Sequence, residues 1–229
     1  MRPVPDVPVR DVPVWDVPVW DLPVRVFHWG TAALIPVLWA SERWNWLDVH
    51  VWAGIALLAL VLFRLMWGVV GSDTARFARF LRGPRPALAH LRGMFRHEPD
   101  HAIGHNPAGG WMVALLLLLV TAECLIGVFV NNDVADAGPL TELAPTWLLN
   151  LATDLHWWLF QVLLGAIALH LAAVLAYRVA KGQNLVGPMV TGRKPLPADI
   201  AAPRMVGLGW AAALAVVAGG MALGVFWFG

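Results

Sequence analysis

The sequence predicts an all-α integral membrane protein: a four-helix bundle plus a fifth, C-terminal transmembrane helix. Three observations predict it. Of 229 residues, 59% are hydrophobic and only 14% charged, against about 45–50% and about 25% in soluble domains. The apolar excess falls in five runs, roughly 25–41, 49–70, 110–130, 155–179 and 205–228, each near the ~20 residues that cross a hydrocarbon core. Finally, Lys and Arg crowd into alternate connections.

The first twenty residues read as a separate arm. A pentapeptide of Asp, Val or Leu, Pro, Val, and Arg or Trp is written four times between Asp6 and Arg25. Proline at every fifth position blocks a continuous helix, so the arm is expected to be extended or loosely ordered. Only the last copy, DLPVR, leads into VFHW. The earlier copies read as a tandem duplication, and removal of Asp6 to Trp20 is expected to leave the site below intact. The start lacks an apolar core with a small-residue cleavage site, so no cleaved leader is expected. The predicted units are a cytoplasmic arm, 1–20, a bundle, 21–195, and the fifth helix with its lead-in, 196–229.

Each helix has its own signals. The first run is the shortest and contains Pro36, which a membrane helix tolerates when neighbours satisfy the freed carbonyl. Between the second and third runs, SDTARFARFL and PALAHLRGMF mix apolar residues with arginine, as short amphipathic helices on the membrane surface do. In HNPAGGW, Asn106 is placed to cap and Pro107 to start the third helix. Cys124, the single cysteine, can form no internal disulfide and no Cys-x-x-Cys-His haem attachment, and reads as a small buried hydrophobe.

The charge pattern sets orientation. Arg2, Arg10 and Arg25 precede the first helix. Six arginines, from Arg76 to Arg96, fill the second connection, and Arg178, Lys181, Arg193, Lys194 and Arg204 the fourth. The first connection has only Arg43; the third, about 131–154, has no Lys or Arg. The positive-inside rule puts the N-terminus in the cytoplasm and the C-terminus outside. Trp39, Trp44, Trp46, Trp52, Trp147, Trp157, Trp158 and Trp227 fall at the outer interface, and Trp29, Trp67, Trp111 and Trp210 at the inner one, as aromatic belts require.

Eight histidines are present. His90, His97 and His101 lie in the polar inner connection and read as solvated. His28, His50, His156 and His170 lie in apolar helices, where a polar group is costly and needs a partner or a task. Their depths match. His50 and His156 start their helices at the outer face, and His28 is near the inner face. His170 is fourteen residues beyond His156 on one helix, hence about 21 Å deeper and within about 40° of the same side. The four sort into two pairs, one per leaflet. Two imidazoles facing across a bundle make a haem site with both axial positions filled, suited to electron transfer. Gly54 and Gly165 either give a flat macrocycle room or let helices pack closely. Arg25 and Arg64 either meet haem propionates or anchor at headgroups.

At these residues the chain resembles the bacterial cytochrome b561 family, which includes the cytochrome b subunits of nickel–iron hydrogenases. The resemblance covers about 20–195 and rests on VWDLPVRVFHW, HVWAG, FRLMWGVVGSDTARFARFL, GHNPAGGWM, HWWLFQVLLGAIALH and NLVGPMVTGRK. It implies a haem-binding four-helix bundle holding two non-covalent haem b groups, with iron ligands matching His28, His50, His156 and His170. It implies the bacterial inner membrane, electron exchange with quinone, and a redox partner such as a hydrogenase, another dehydrogenase or a cytochrome c, so that the chain is an electron-transfer subunit of a quinone-linked oxidoreductase. His105, in GHNP, belongs either to the inner haem edge or quinone pocket or to loop bracing. Many relatives follow the third ligand with Glu; Trp157 stands there instead, which removes a polar group expected near the outer haem. Lipid contact is expected, no nucleic-acid partner is, and a homodimer stays open. The competing reading is a haem-free transporter or channel relaying protons through the buried histidines; it expects further acids along a path, and only Glu123 sits well inside a span.

Overall fold

The structure, a computed structural model, describes residues 13–93, 102–131 and 138–227. Arg2, Arg10, Arg96, His97, His101, Asp133 and Asp136 lie outside them. In chain order the elements are strand β1 (Val14–Pro18), helices α1 (Leu22–Arg43), α2 (Leu47–Val70), α3 (Phe77–Phe80), α4 (Pro84–Arg92), α5 (Pro107–Gly127) and α6 (Thr146–Ala180), then α7 (Val186–Thr191), strand β2 (Arg193–Pro197) and α8 (Leu208–Trp227).

Among the described residues, four helices, α2, α5, α6 and α8, are long and apolar enough to cross a membrane. α1 matches the first predicted run and is 22 residues long, but Arg25, His28, Glu42 and Arg43 dilute its apolar character. It runs through Pro36 without interruption. Its start is fixed by Asp21, whose Oδ1 accepts from the Val24 N–H at 2.8 Å, while Pro23 sits in the first turn, where no donor is missed. α5 starts as expected, with Asn106 Oδ1 accepting from the Gly109 N–H at 2.7 Å.

Two layers of packing build the bundle. In one, Leu57 and Val61 of α2, Leu119 and Val120 of α5, and Leu163 and Ala166 of α6 form a buried cluster, joined by Leu34, Ile35 and Leu38 of α1. In the other, α8 lays Ala211 and Ala218 against Phe63 and Trp67 of α2, small residues bringing backbones close as membrane helices favour. Phe63 and Trp67 lie two residues from Val61 and Leu65, so α2 uses opposite faces for α8 and for the central cluster.

The structure differs from the sequence reading in four places. α6 begins at Thr146, directly after Pro145, nine residues before its apolar run; the polar TWLLNLATD still carries the helical pattern and the proline supplies the start. SDTARFARFL forms one turn, α3, and Ser72, Ala75 and Phe80 are buried, so it packs beneath the bundle instead of lying on a surface. Trp67 is fully buried and donates through Nε1 to Asp21 Oδ2 at 2.9 Å, so it is no belt residue.

The fourth difference concerns the arm. Its third copy, Asp16 to Trp20, is built into the fold. β1 and β2 pair antiparallel, with Val17 opposite Lys194 and Pro18 opposite Arg193. The Ala198 N–H donates to the Pro13 carbonyl at 2.9 Å. Counting by twos from that bond, Pro18, Pro195 and Pro197 fall at positions whose missing N–H would point away from the partner strand, which is why so proline-rich a pair can form. Val17, Val19 and Leu196 are buried together. Gly192, with φ 82°, closes the ribbon: its carbonyl accepts from the Val19 and Trp20 N–H groups at 2.8 and 3.0 Å, and a side chain there would meet the Trp20 carbonyl oxygen.

Candidate functional site

α6 packs closely on α5 alone and stands off from α1 and α2. What meets across the gap is histidine. The His28 and His170 rings lie 6.5 Å apart between centroids, and the His50 and His156 rings 6.4 Å apart. The two pairs sit at opposite ends of the central apolar cluster, and the structure thus brings all four sequence-predicted histidines together in the predicted couples. A Cβ added at Gly54 or at Gly165 would meet nothing within 4 Å. Open space, not close helix packing, surrounds both glycines.

The His50–His156 pair is held by specific contacts. His50 Nδ1 lies 3.0 Å from the Leu38 carbonyl and 3.4 Å from Ser41 Oγ, both on α1. Ser41 is placed by the tight α1–α2 turn, in which Trp46 N–H donates to the Ser41 carbonyl at 2.7 Å and Asn45 takes a left-handed conformation with φ 57°. His156 Nδ1 lies 2.6 Å from Oε2 of buried Glu123 on α5, off-line for a good hydrogen bond. Trp157 is exposed, so the polar group it withholds at this level arrives from α5 instead. Gly127, one turn beyond Glu123, backs the His156 ring: a Cβ there would sit 3.2 Å from Cε1.

The His28–His170 pair is surrounded differently. His28 Nδ1, Arg25 Nε, Arg64 Nη1 and the Thr31 hydroxyl are buried without a hydrogen-bond partner among the described residues. Arg64 lies 5.9 Å from the Phe27 ring and 5.0 Å from the Phe77 ring, cation–π contacts that hold a guanidinium while leaving its donors free. Arg25 donates to the Val190 carbonyl at 2.5 Å, and Trp29 Nε1 to the Met189 carbonyl at 3.2 Å; together they fasten α7 over the start of α1. His105 is wedged between Trp20, at 4.5 Å, and Phe80, at 4.6 Å. Burial pushes its imidazole down to about 3, with the Arg64 charge adding to the effect, so it is neutral at physiological pH while its Nδ1 lacks a partner. Arg64 is 2% exposed, too deeply buried to reach headgroups in the manner of a snorkelling anchor.

Sequence reasoning missed Glu123 as a neighbour of His156, Gly127 behind the same ring, Asp21 as cap, and Trp20 against His105. Glu123 carried a signal, an acid alone in an apolar run. For a proton relay the path is thin, since the buried acids among the described residues are Asp21 and Glu123, at opposite ends of the bundle.

These features define a helical membrane protein with paired imidazoles at two levels. The model of the prokaryotic cytochrome b561 family matches residues 19–192, and the chain belongs to that family. Family membership implies haem b and transmembrane electron transfer. No curated protein and no solved structure matches the chain.

Proposed function

We propose that the chain carries electrons across the bacterial inner membrane through two b-type haems, one held by His28 and His170, the other by His50 and His156. The ring spacing carries this reading. Two imidazoles that would share one metal through bonds of about 2.0 Å, with about 1.1 Å from each ligating nitrogen to its ring centre, would stand about 6.2 Å apart between centres. The paired centroids stand 6.5 and 6.4 Å apart. The open space at Gly54 and Gly165 and the stand-off of α6 suit a flat macrocycle, so the residues present fit the group.

A haem held between His28 and His170, or between His50 and His156, would supply reversible one-electron chemistry. The chain does the rest. His50 is oriented by the Leu38 carbonyl. Arg25 and Arg64, with orphaned donors, are the candidates to meet propionates at the inner level. The cluster of Leu57, Val61, Leu119, Val120 and Leu163 excludes water between the levels. His105 and Trp20 border the inner site.

The arginine distribution supports a cytoplasmic N-terminus, with α1 as a fifth span and the C-terminus in the periplasm. The His28–His170 level is then inner and the His50–His156 level outer. Quinone and a redox partner, whether a hydrogenase, another dehydrogenase or a cytochrome c, exchange electrons with the two levels. Residues 21–195 hold the haems, and 196–229 add the buttress α8. A pyridine haemochrome assay on the purified chain tests the reading. Two b haems per chain are expected; far fewer than two refute it, and a colourless protein favours the proton-relay reading.

A further inference from the structure

The two histidine pairs differ in what meets Nδ1. At the outer level His50 Nδ1 faces a carbonyl at 3.0 Å, and His156 Nδ1 faces the Glu123 carboxylate at 2.6 Å. At the inner level His28 Nδ1 is buried with no hydrogen-bond partner among the described residues; two cations, Arg25 one turn earlier on α1 and the buried Arg64, stand there with one buried acid, Asp21, whose charge acts on Arg64. We propose that Glu123 sets the electron-donating strength of His156 and thereby makes the outer haem the lower-potential of the two. This inference rests on the two-haem reading above.

The physical argument is one of charge. A negative carboxylate 2.6 Å from Nδ1 acts through its field, even off the hydrogen-bond line, and leaves the opposite nitrogen richer in electron density, which favours the more positive, oxidised metal. Glu123 is 6% exposed, so water screens that charge weakly. At the inner level Arg25 and Arg64 outnumber the single acid Asp21, so the charge there acts in the opposite sense and favours the reduced state. Glu123 is a positioning and tuning residue acting through His156. Gly127 supports it, because the ring can lie against α5 only where no side chain intervenes.

The test uses Glu123→Gln in the full chain and in a His170→Ala chain, where only the outer haem remains. Haem per chain is read by pyridine haemochrome and potential by redox titration. The haem left in His170→Ala should have the lower of the two wild-type potentials. Glu123→Gln should raise it by about tenfold in the reduction equilibrium, about 59 mV for one electron, and leave the inner potential unchanged. An outer potential that does not move, or a remaining haem that is the higher-potential one, overturns the proposal. If Glu123→Gln sheds the outer haem, Glu123→Asp decides: a retained haem at the wild-type potential supports it, and loss there too overturns it. A wild-type chain with fewer than two haems overturns the two-haem reading instead.

Discussion

Asp21 shows how much one side chain can hold at the head of α1. One carboxylate oxygen caps the Val24 N–H, the other accepts from Trp67 Nε1, and its charge lies within electrostatic reach of Arg64. Asp21→Ala removes the cap and strands the indole N–H of a fully buried tryptophan. It should cost about 1–3 kcal/mol, read as a lowered midpoint of thermal unfolding in detergent, with Asp21→Asn recovering part of the loss. Gly127→Ala acts at the other end. Its methyl would press on Cε1 of His156, so the outer haem should be under-occupied while the inner one is retained, as haem counts on the purified variant would show. The four histidines were legible in the sequence because polar residues in apolar runs advertise their depth. The approach of Glu123 to His156 was not. It depends on how α5 is rotated about its axis, and VALLLLLVTAECLIG is apolar all round, with no stripe to fix that rotation.

At the scale of elements, the helical runs were legible because each must be about twenty apolar residues long. The ends were less so. The start of α6 follows Pro145 rather than hydropathy, and α3 is a single turn that sets Phe77 against Gly68 of α2 and buries Phe80 against Gly110 of α5, leaving Ala78 and Arg79 exposed. The β1–β2 ribbon was illegible for another reason: its strands are separated by most of the chain, and their prolines argue against strands until the register shows which N–H groups are not needed. The exposed Asp16–Arg193 pair at 2.8 Å adds little; burial of Val17, Val19 and Leu196 carries the ribbon. The structure therefore moves the boundary of the dispensable arm. Deleting Asp6 to Pro13 should leave both haems bound. Deleting Asp6 to Trp20 removes the ribbon and the Trp20–His105 contact and should lower inner-haem occupancy. Equal haem content in the two deletions would show that the third repeat copy braces nothing.

Across the whole molecule, two histidine pairs are separated by an apolar core, and the sequence gathers arginine in the connections at one end and acids in those at the other. That charge asymmetry predicts that a reporter active only in the periplasm, fused after Gly229, gives signal, and that the same reporter fused in the Arg82–Arg92 region stays silent. The central claim is the pairing itself, and haem counts in paired histidine variants test it most directly. If His28 shares a haem with His170, and His50 with His156, the double variant His28→Ala/His170→Ala should retain one haem, no fewer than either single variant. The double variant His28→Ala/His50→Ala should retain none. A chain that keeps one haem in the second double variant, or loses both in the first, would contradict the account.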